Sequence, residues 1–143
     1  MAGRNRGTMD RMAPLDDAVR DLYSDLGIDG RVLDMGEPST GHFDLPPDEL
    51  VEGDPARFEN ASFDAVLSRN RIEGETFADV ARVLRPGGCF VITFAGSSDD
   101  AGRVRIVRNS FAATDGFGPA ESDLRTSLTG TGDRLWAVWA KRS

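Results

Sequence analysis

The stretch ENASFDAVLSRNRIEGETFADVARVLRPGGCFVITFA, Glu59 to Ala95, decides the fold class. Phe63, Ala65, Val66 and Leu67 form a short apolar run of strand length, and Phe77, Val80, Ala81 and Leu84 then recur at helical spacing. Cys89 to Phe94 follow without polar alternation. That is the pattern of a strand buried on both faces, and such strands belong to parallel sheets covered by helices. The punctuation agrees. Glu73 and Glu75 stand at the positive end of the expected helix dipole, and Arg82 and Arg85 at its negative end. Pro86-Gly87-Gly88 ends the helix, because Pro86 has no N–H to donate and glycine tolerates positive φ. Strand, helix and strand make a βαβ unit, so the fold class is α/β.

Upstream, Pro14 suits the first turn of a helix in which Leu15, Ala18, Val19, Leu22 and Leu26 share a face, with Gly27 as the residue just past its end. Gly30 then turns the chain into a strand, Arg31 to Met35. Downstream, Ser97, Ser98, Asp99 and Asp100 can cap a helix whose buried face is Val104, Val107 and Phe111, with Arg103, Arg105 and Arg108 on its solvated sides. Gly116-Phe117-Gly118-Pro119 closes that helix. Strands over Ser122 to Leu128 and Arg134 to Ala140, joined by Thr129-Gly130-Thr131-Gly132-Asp133, predict a terminal hairpin. Trp136 and Trp139 are three apart in a strand and therefore point to opposite faces. One belongs to the core, and the other is either core or an exposed patch for a partner.

The 143 residues make one domain over 13–143, preceded by a flexible tail over 1–12 that carries Arg4, Arg6 and Arg11 but no apolar segment of a signal peptide. The net charge is −7, and residues 10–64 hold 15 Asp/Glu against 4 Arg, a balance of −11. A nucleic-acid partner requires a positive footprint, so that class is not expected. Of the 17 basic residues only Lys141 is not Arg. The longest apolar run, Cys89 to Ala95, is far short of the roughly 20 residues of a membrane span. The single Cys, Cys89, cannot form an internal disulfide, which fits a reducing cytoplasm.

SFDAVLS, a helix ending in RVLRPGG, and CFVITF together resemble the fourth strand, following helix and fifth strand of class I S-adenosylmethionine (SAM) dependent methyltransferases. Arg31-Val32-Leu33-Asp34-Met35-Gly36 is similar to their first motif, and Asp133-Arg134-Leu135-Trp136-Ala137-Val138-Trp139-Ala140 to their antiparallel last strand. The likeness spans roughly residues 15 to 142. It implies a Rossmann-like, mostly parallel sheet with an antiparallel C-terminal hairpin. Because a βαβ unit takes about 30 residues or more, a complete seven-stranded version needs more chain, and five or six strands are expected.

The resemblance implies SAM contacts at Asp34, Gly36, Glu37, Asp44, Asp54 and Ser68. Glycines after the first strand let the backbone pass close to the cofactor. Here the loop reads Gly36-Glu37-Pro38-Ser39-Thr40-Gly41-His42, so the usual G-x-G-x-G is degenerate, and no helical pattern follows through Phe43-Asp44-Leu45-Pro46-Pro47. A divergent branch of the family has a Ser- and His-bearing loop there, which Ser39 and His42 resemble. Asp44 is the candidate for the acidic residue that binds ribose hydroxyls at the end of the second strand. Parallel strands need a long crossover, so a normal second strand is not expected. Val51-Glu52-Gly53-Asp54-Pro55 resembles the end of the third strand, with Asp54 toward the adenine amino group.

Each position has a plainer reading. Asp34 either touches the cofactor or caps the Gly36 loop, and Gly36 is either a cofactor glycine or a turn. Asp54 is an adenine acceptor or an exposed loop acid. Ser68, Arg69 and Asn70 lie on the cofactor and substrate side or in a surface loop, and His42 is a general base or a loop histidine. No G-x-S-x-G elbow accompanies His42, and Gly36 to His42 lacks the Lys and Ser/Thr of a phosphate loop, which excludes nucleotide triphosphate hydrolysis. One Cys and one His without paired spacing argue against zinc.

The activity implied by the resemblance is methyl transfer from SAM to a small molecule. It needs alignment more than acid-base chemistry, so no catalytic side chain can be named from sequence. The alternative is a non-catalytic descendant that has lost the cofactor pocket and acts as a binding or subunit protein, with a homodimer or other protein partner joining at an open sheet edge.

Overall fold

The computed structural model describes residues 13–35, 48–69, 74–96, 101–126 and 134–143. The elements are α1 (Ala13–Leu26), β1 (Arg31–Asp34), β2 (Glu49–Glu52), a short 3-10 helix (Pro55–Arg57), β3 (Phe63–Arg69), α2 (Gly74–Val83), β4 (Leu84–Gly96), α3 (Ala101–Ala113), β5 (Glu121–Thr126) and β6 (Arg134–Lys141). The six strands among the described residues form one sheet in the order β2-β1-β3-β4-β6-β5. The first four are mutually parallel, and β6 runs antiparallel to both β4 and β5. This is the expected mixed sheet, and the terminal hairpin is present.

Packing follows the alternation of side chains along each strand. Leu33, Val66, Phe90, Ile92 and Phe94 face α2 and α3, and a cluster of aromatic rings forms there. The rings of Phe77 and Phe111 lie 4.9 Å apart and those of Phe77 and Phe90 5.3 Å apart, both edge to face. Val32, Ala65, Leu67, Cys89 and Val91 face α1, against Val19, Leu22 and Tyr23. Gly27 ends α1 at φ 67°, with Ile28 N–H donating to the Tyr23 carbonyl and Gly27 N–H to that of Ser24. Only a residue tolerant of positive φ closes a helix this way.

The sequence places two features differently from the structure. First, the stretch that resembles the end of a third strand is β2, and it pairs directly with β1: Leu33 lies beside Val51 and Asp34 beside Glu52. It therefore occupies the second-strand position. The connection, residues 35 to 48, is as long as the roughly dozen residues a parallel crossover needs. Second, α2 ends at Val83, and Pro86-Gly87-Gly88 lies inside β4 rather than in a turn before it. Between the pairs Phe63–Leu84 and Ala65–Cys89 the chain advances two residues in β3 and five in β4, so the segment bulges out of the ladder. Gly87 N–H donates to the Arg142 carbonyl at 2.8 Å, and Arg142 N–H to that of Gly88 at 2.7 Å, so the C-terminus stitches the bulge in place.

Candidate functional site

In an open parallel sheet ligands bind outside the carboxyl ends of the strands, at the point where the strand order reverses. Here that point is between β1 and β3, with β2 on one side and β4 on the other. The backbone ends of the strands are held firmly. Met35 N–H donates to the Leu67 carbonyl at 2.9 Å, and Gly53 N–H to the Asp34 carbonyl at 3.3 Å.

Asp34 closes β1 and is buried at 6% exposure. It is two residues beyond Val32, so it lies on the α1 side of the sheet, in register with Leu67. Ser68 is two residues beyond Val66 and lies on the opposite side, in register with Ile92. It is fully buried, at 0% exposure, and its hydroxyl has no hydrogen-bond partner among the described residues. Leaving such a group unsatisfied costs about 1–3 kcal/mol, and natural cores seldom carry that cost without a reason. The two residues thus share the carboxyl edge while approaching it from opposite faces.

Asp54 belongs elsewhere. Its carboxylate accepts the Ala56 N–H at 3.0 Å and caps the 3-10 helix, as an exposed loop acid does. Its link to an adenine group came from a third strand, and the segment it follows stands in the second-strand position. Glu52 is the acid that ends that strand, and its register partner is Asp34. Sequence reasoning passed over Glu52 because strand order is not written in the local pattern. Gly36, Glu37, Ser39, His42, Asp44 and Asn70 lie outside the described residues, as does the side chain of Arg69.

Away from this edge, several predicted groups are structural. Asp64 Oδ2 accepts from the Arg31 backbone N–H at 2.9 Å and from Arg85 at 2.8 Å. Burial pushes its pKa up, but the Arg31 hydrogen bond and the hydrogen bond and charge of Arg85 outweigh that and hold the carboxyl below its ordinary value. Burial pushes the Cys89 thiol up to about 12, so it stays protonated and unreactive. Arg82 donates to the carbonyls of Phe58 and Pro55 at 2.7 and 3.1 Å, tying α2 to the 3-10 segment. Trp136 and Trp139 do face opposite sides, but both are half-buried, and Trp139 Nε1 donates to Glu121 at 3.2 Å. Neither forms a free aromatic patch. Among the described residues no group of three or more His, Cys, Asp or Glu could hold a metal ion, and no helix is long and apolar enough to cross a membrane.

No family model matches this chain, and no curated protein sequence does either. Solved structures do. The crystal structure of 1,6-didemethyltoxoflavin-N1-methyltransferase from Burkholderia thailandensis, with bound 1,6-didemethyltoxoflavin and S-adenosylhomocysteine, is similar over 99% of this chain and 83% of that one, with a TM-score of 0.62 and 16% identity. Geranyl diphosphate C-methyltransferase from Streptomyces coelicolor, in complex with Mg2+, geranyl diphosphate and S-adenosyl-L-homocysteine, is similar over 94% and 83%, with a TM-score of 0.64 and 13% identity. A probable spermidine synthase from Corynebacterium glutamicum matches 91% of this chain at a TM-score of 0.54 and 16% identity; the present chain spans 62% of its length. One fold can serve more than one reaction. The sheet order, the helices on both faces and these likenesses together establish that the chain has the class I methyltransferase fold.

Proposed function

We propose that this protein is a SAM-dependent methyltransferase acting on a small molecule, as one domain over residues 13–143. The observation that carries the reading is the buried, unpartnered Ser68 hydroxyl at the same strand edge as the buried Asp34 carboxylate. A ligand lying along that edge supplies the missing partner. Similar structures hold S-adenosylhomocysteine, which supports SAM as the ligand.

The described residues fit such a cofactor. Asp34 and Glu52 are register neighbours at the ends of β1 and β2, and carboxylates there can accept hydrogen bonds from hydroxyl or amino groups. We assign the ribose-binding role to Glu52, where the sequence points to Asp44. Ser68 supplies a third polar contact at the end of β3. When bound, SAM supplies an activated sulfonium-linked methyl group. The protein's own task is to bind, orient and exclude water, because in-line alignment accounts for much of the rate. A reducing cytoplasm suits the lone buried thiol of Cys89. The outer edge of β2 is the place where a protein partner would add, although the exposed Glu49 and Glu52 work against pairing with a second copy of itself.

Calorimetric titration with SAM and S-adenosylhomocysteine tests the reading. Saturable binding is expected, weakened in Asp34→Ala and in Glu52→Ala. Ser68→Ala is expected to weaken binding about tenfold, the loss of one hydrogen bond of about 1.4 kcal/mol. Its thermal stability should stay level or rise, since an unsatisfied buried hydroxyl is removed. Absence of heat at millimolar ligand rejects the cofactor and leaves the fold as a scaffold.

A further inference from the structure

The α3 side of the carboxyl edge carries a second set of groups that the cofactor reading leaves unused. Phe94 lies on β4 one pleat beyond Ile92, the register partner of Ser68. Its cross-strand partner on β6 is Trp136, which packs against the same aromatic cluster. The guanidinium of Arg103, from the first turns of α3, sits 4.6 Å from the centre of the Phe94 ring. Trp136 Nε1 is buried and has no hydrogen-bond partner among the described residues. Arg103 meets no hydrogen-bond acceptor or carboxylate among the described residues and instead stacks on the Phe94 ring.

Both groups only donate: an indole N–H has one proton to give, and a guanidinium has five in a planar fork. Two donors without acceptors among the described residues, one over the Phe94 ring and one on Phe94's cross-strand partner, are complementary to an oxyanion. A guanidinium pairs best with the planar or forked oxygens of carboxylate and phosphate. The half-buried Trp136 ring adds apolar surface for whatever carries that anion. β6 lies two strands from β3, about 10 Å at the usual spacing. A small molecule can therefore reach from the Ser68 edge to Trp136.

We propose that Arg103 and Trp136 form the recognition subsite for the methyl acceptor, and that this acceptor is an aromatic or apolar small molecule bearing a carboxylate or phosphate. The assignment to the acceptor rests on the methyl-transfer reading; the oxyanion site itself stands on the unpartnered donors.

The test uses the full chain, labelled with nitrogen-15, in which the two tryptophans give two indole N–H signals that Trp136→Phe assigns. Benzoate and phenyl phosphate serve as probes, and their relative affinities tell a planar from a tetrahedral anion. A saturable downfield shift of the Trp136 signal is expected, with Trp139 unmoved. Arg103→Gln should weaken the probe about tenfold, as loss of one charge-assisted bond implies, and Arg103→Lys should recover part of that. Thermal melts of both variants check that the fold is intact. The proposal is overturned if neither anion moves the Trp136 signal, or if Arg103→Gln binds as the parent does. S-adenosylhomocysteine is titrated separately. Anion binding without nucleoside binding removes only the methyl-transfer reading, and nucleoside binding without an anion response removes only the subsite.

Discussion

Gly88 shows why a single residue type is needed at one place in the R-P-G-G segment. A Cβ built there would lie 2.8 Å from the Asp64 carbonyl oxygen and 2.9 Å from that of Arg85, and backbone atoms cannot rotate away. Gly88→Ala is expected to destabilise the protein by about 2 kcal/mol, the ordinary cost of overpacking, seen as a lower urea midpoint at unchanged slope. The neighbouring Asp64 gives a pH signature. Its pKa is lower folded than its ordinary 3.8, so its contribution is present at neutral pH and lost as pH falls through and below about that value. With the side chain 41% exposed the effect is small, about 0.5 kcal/mol after solvent screening. Asp64→Asn should therefore flatten stability between pH 5 and pH 3, by about that amount, in paired denaturation curves. Cys89 has the opposite sign. A thiol raised from 9.0 to about 12 stabilises the fold below pH 9 and loses that contribution as pH rises toward 12. Ellman's reagent at pH 8 should leave it untouched in the folded protein and label it fully in urea.

At the scale of elements, α2 is the helix that anchors the aromatic cluster on one face of the sheet. It inserts Phe77, Val80 and Val83 into the cluster with Phe90 and Phe111. Phe77 makes edge contacts with three other rings, Phe90, Phe111 and Phe117. Phe77→Ala is expected to cost about 4 kcal/mol, since no neighbour can fill a phenyl-sized void. A domain of this size is stabilised by about 5–15 kcal/mol in all, so a large drop in melting temperature is the outcome to look for. The helix and its two strands are legible from Glu59 to Ala95 because hydrophobic period reports burial directly. The role of its arginines is not. Arg82 and Arg85 look like helix-dipole partners in sequence, whereas Arg82 braces the 3-10 segment and Arg85 holds Asp64. Side-chain reach across 20 or more residues leaves no local mark.

For the molecule as a whole, the described residues form a methyltransferase-type sheet of six strands with β2 at its edge. The two face clusters are separated by the sheet, and its carboxyl edge is reached from both, by Asp34 on one side and Ser68 on the other. Ligand occupying that edge binds only the folded state. S-adenosylhomocysteine at about 100 times its dissociation constant should thus stabilise the fold by about 2.7 kcal/mol. A thermal shift that rises with ligand and disappears on dialysis is the expected result, and Asp34→Ala should reduce it.

Apolar period, charge placement and the Pro-Gly-Gly segment were sufficient to identify the βαβ unit, the first strand, the terminal hairpin and Asp34 at a strand end, because each is a pattern within a few neighbouring residues. Pairing decided the rest. That Glu52 rather than Asp54 ends the strand beside β1, that Pro86-Gly87-Gly88 bulges within a strand, and that the Ser68 hydroxyl and Trp136 Nε1 are buried without partners among the described residues all depend on contacts between distant segments. Register and burial of that kind are set by which strands meet, and a linear sequence states the strands without stating their order.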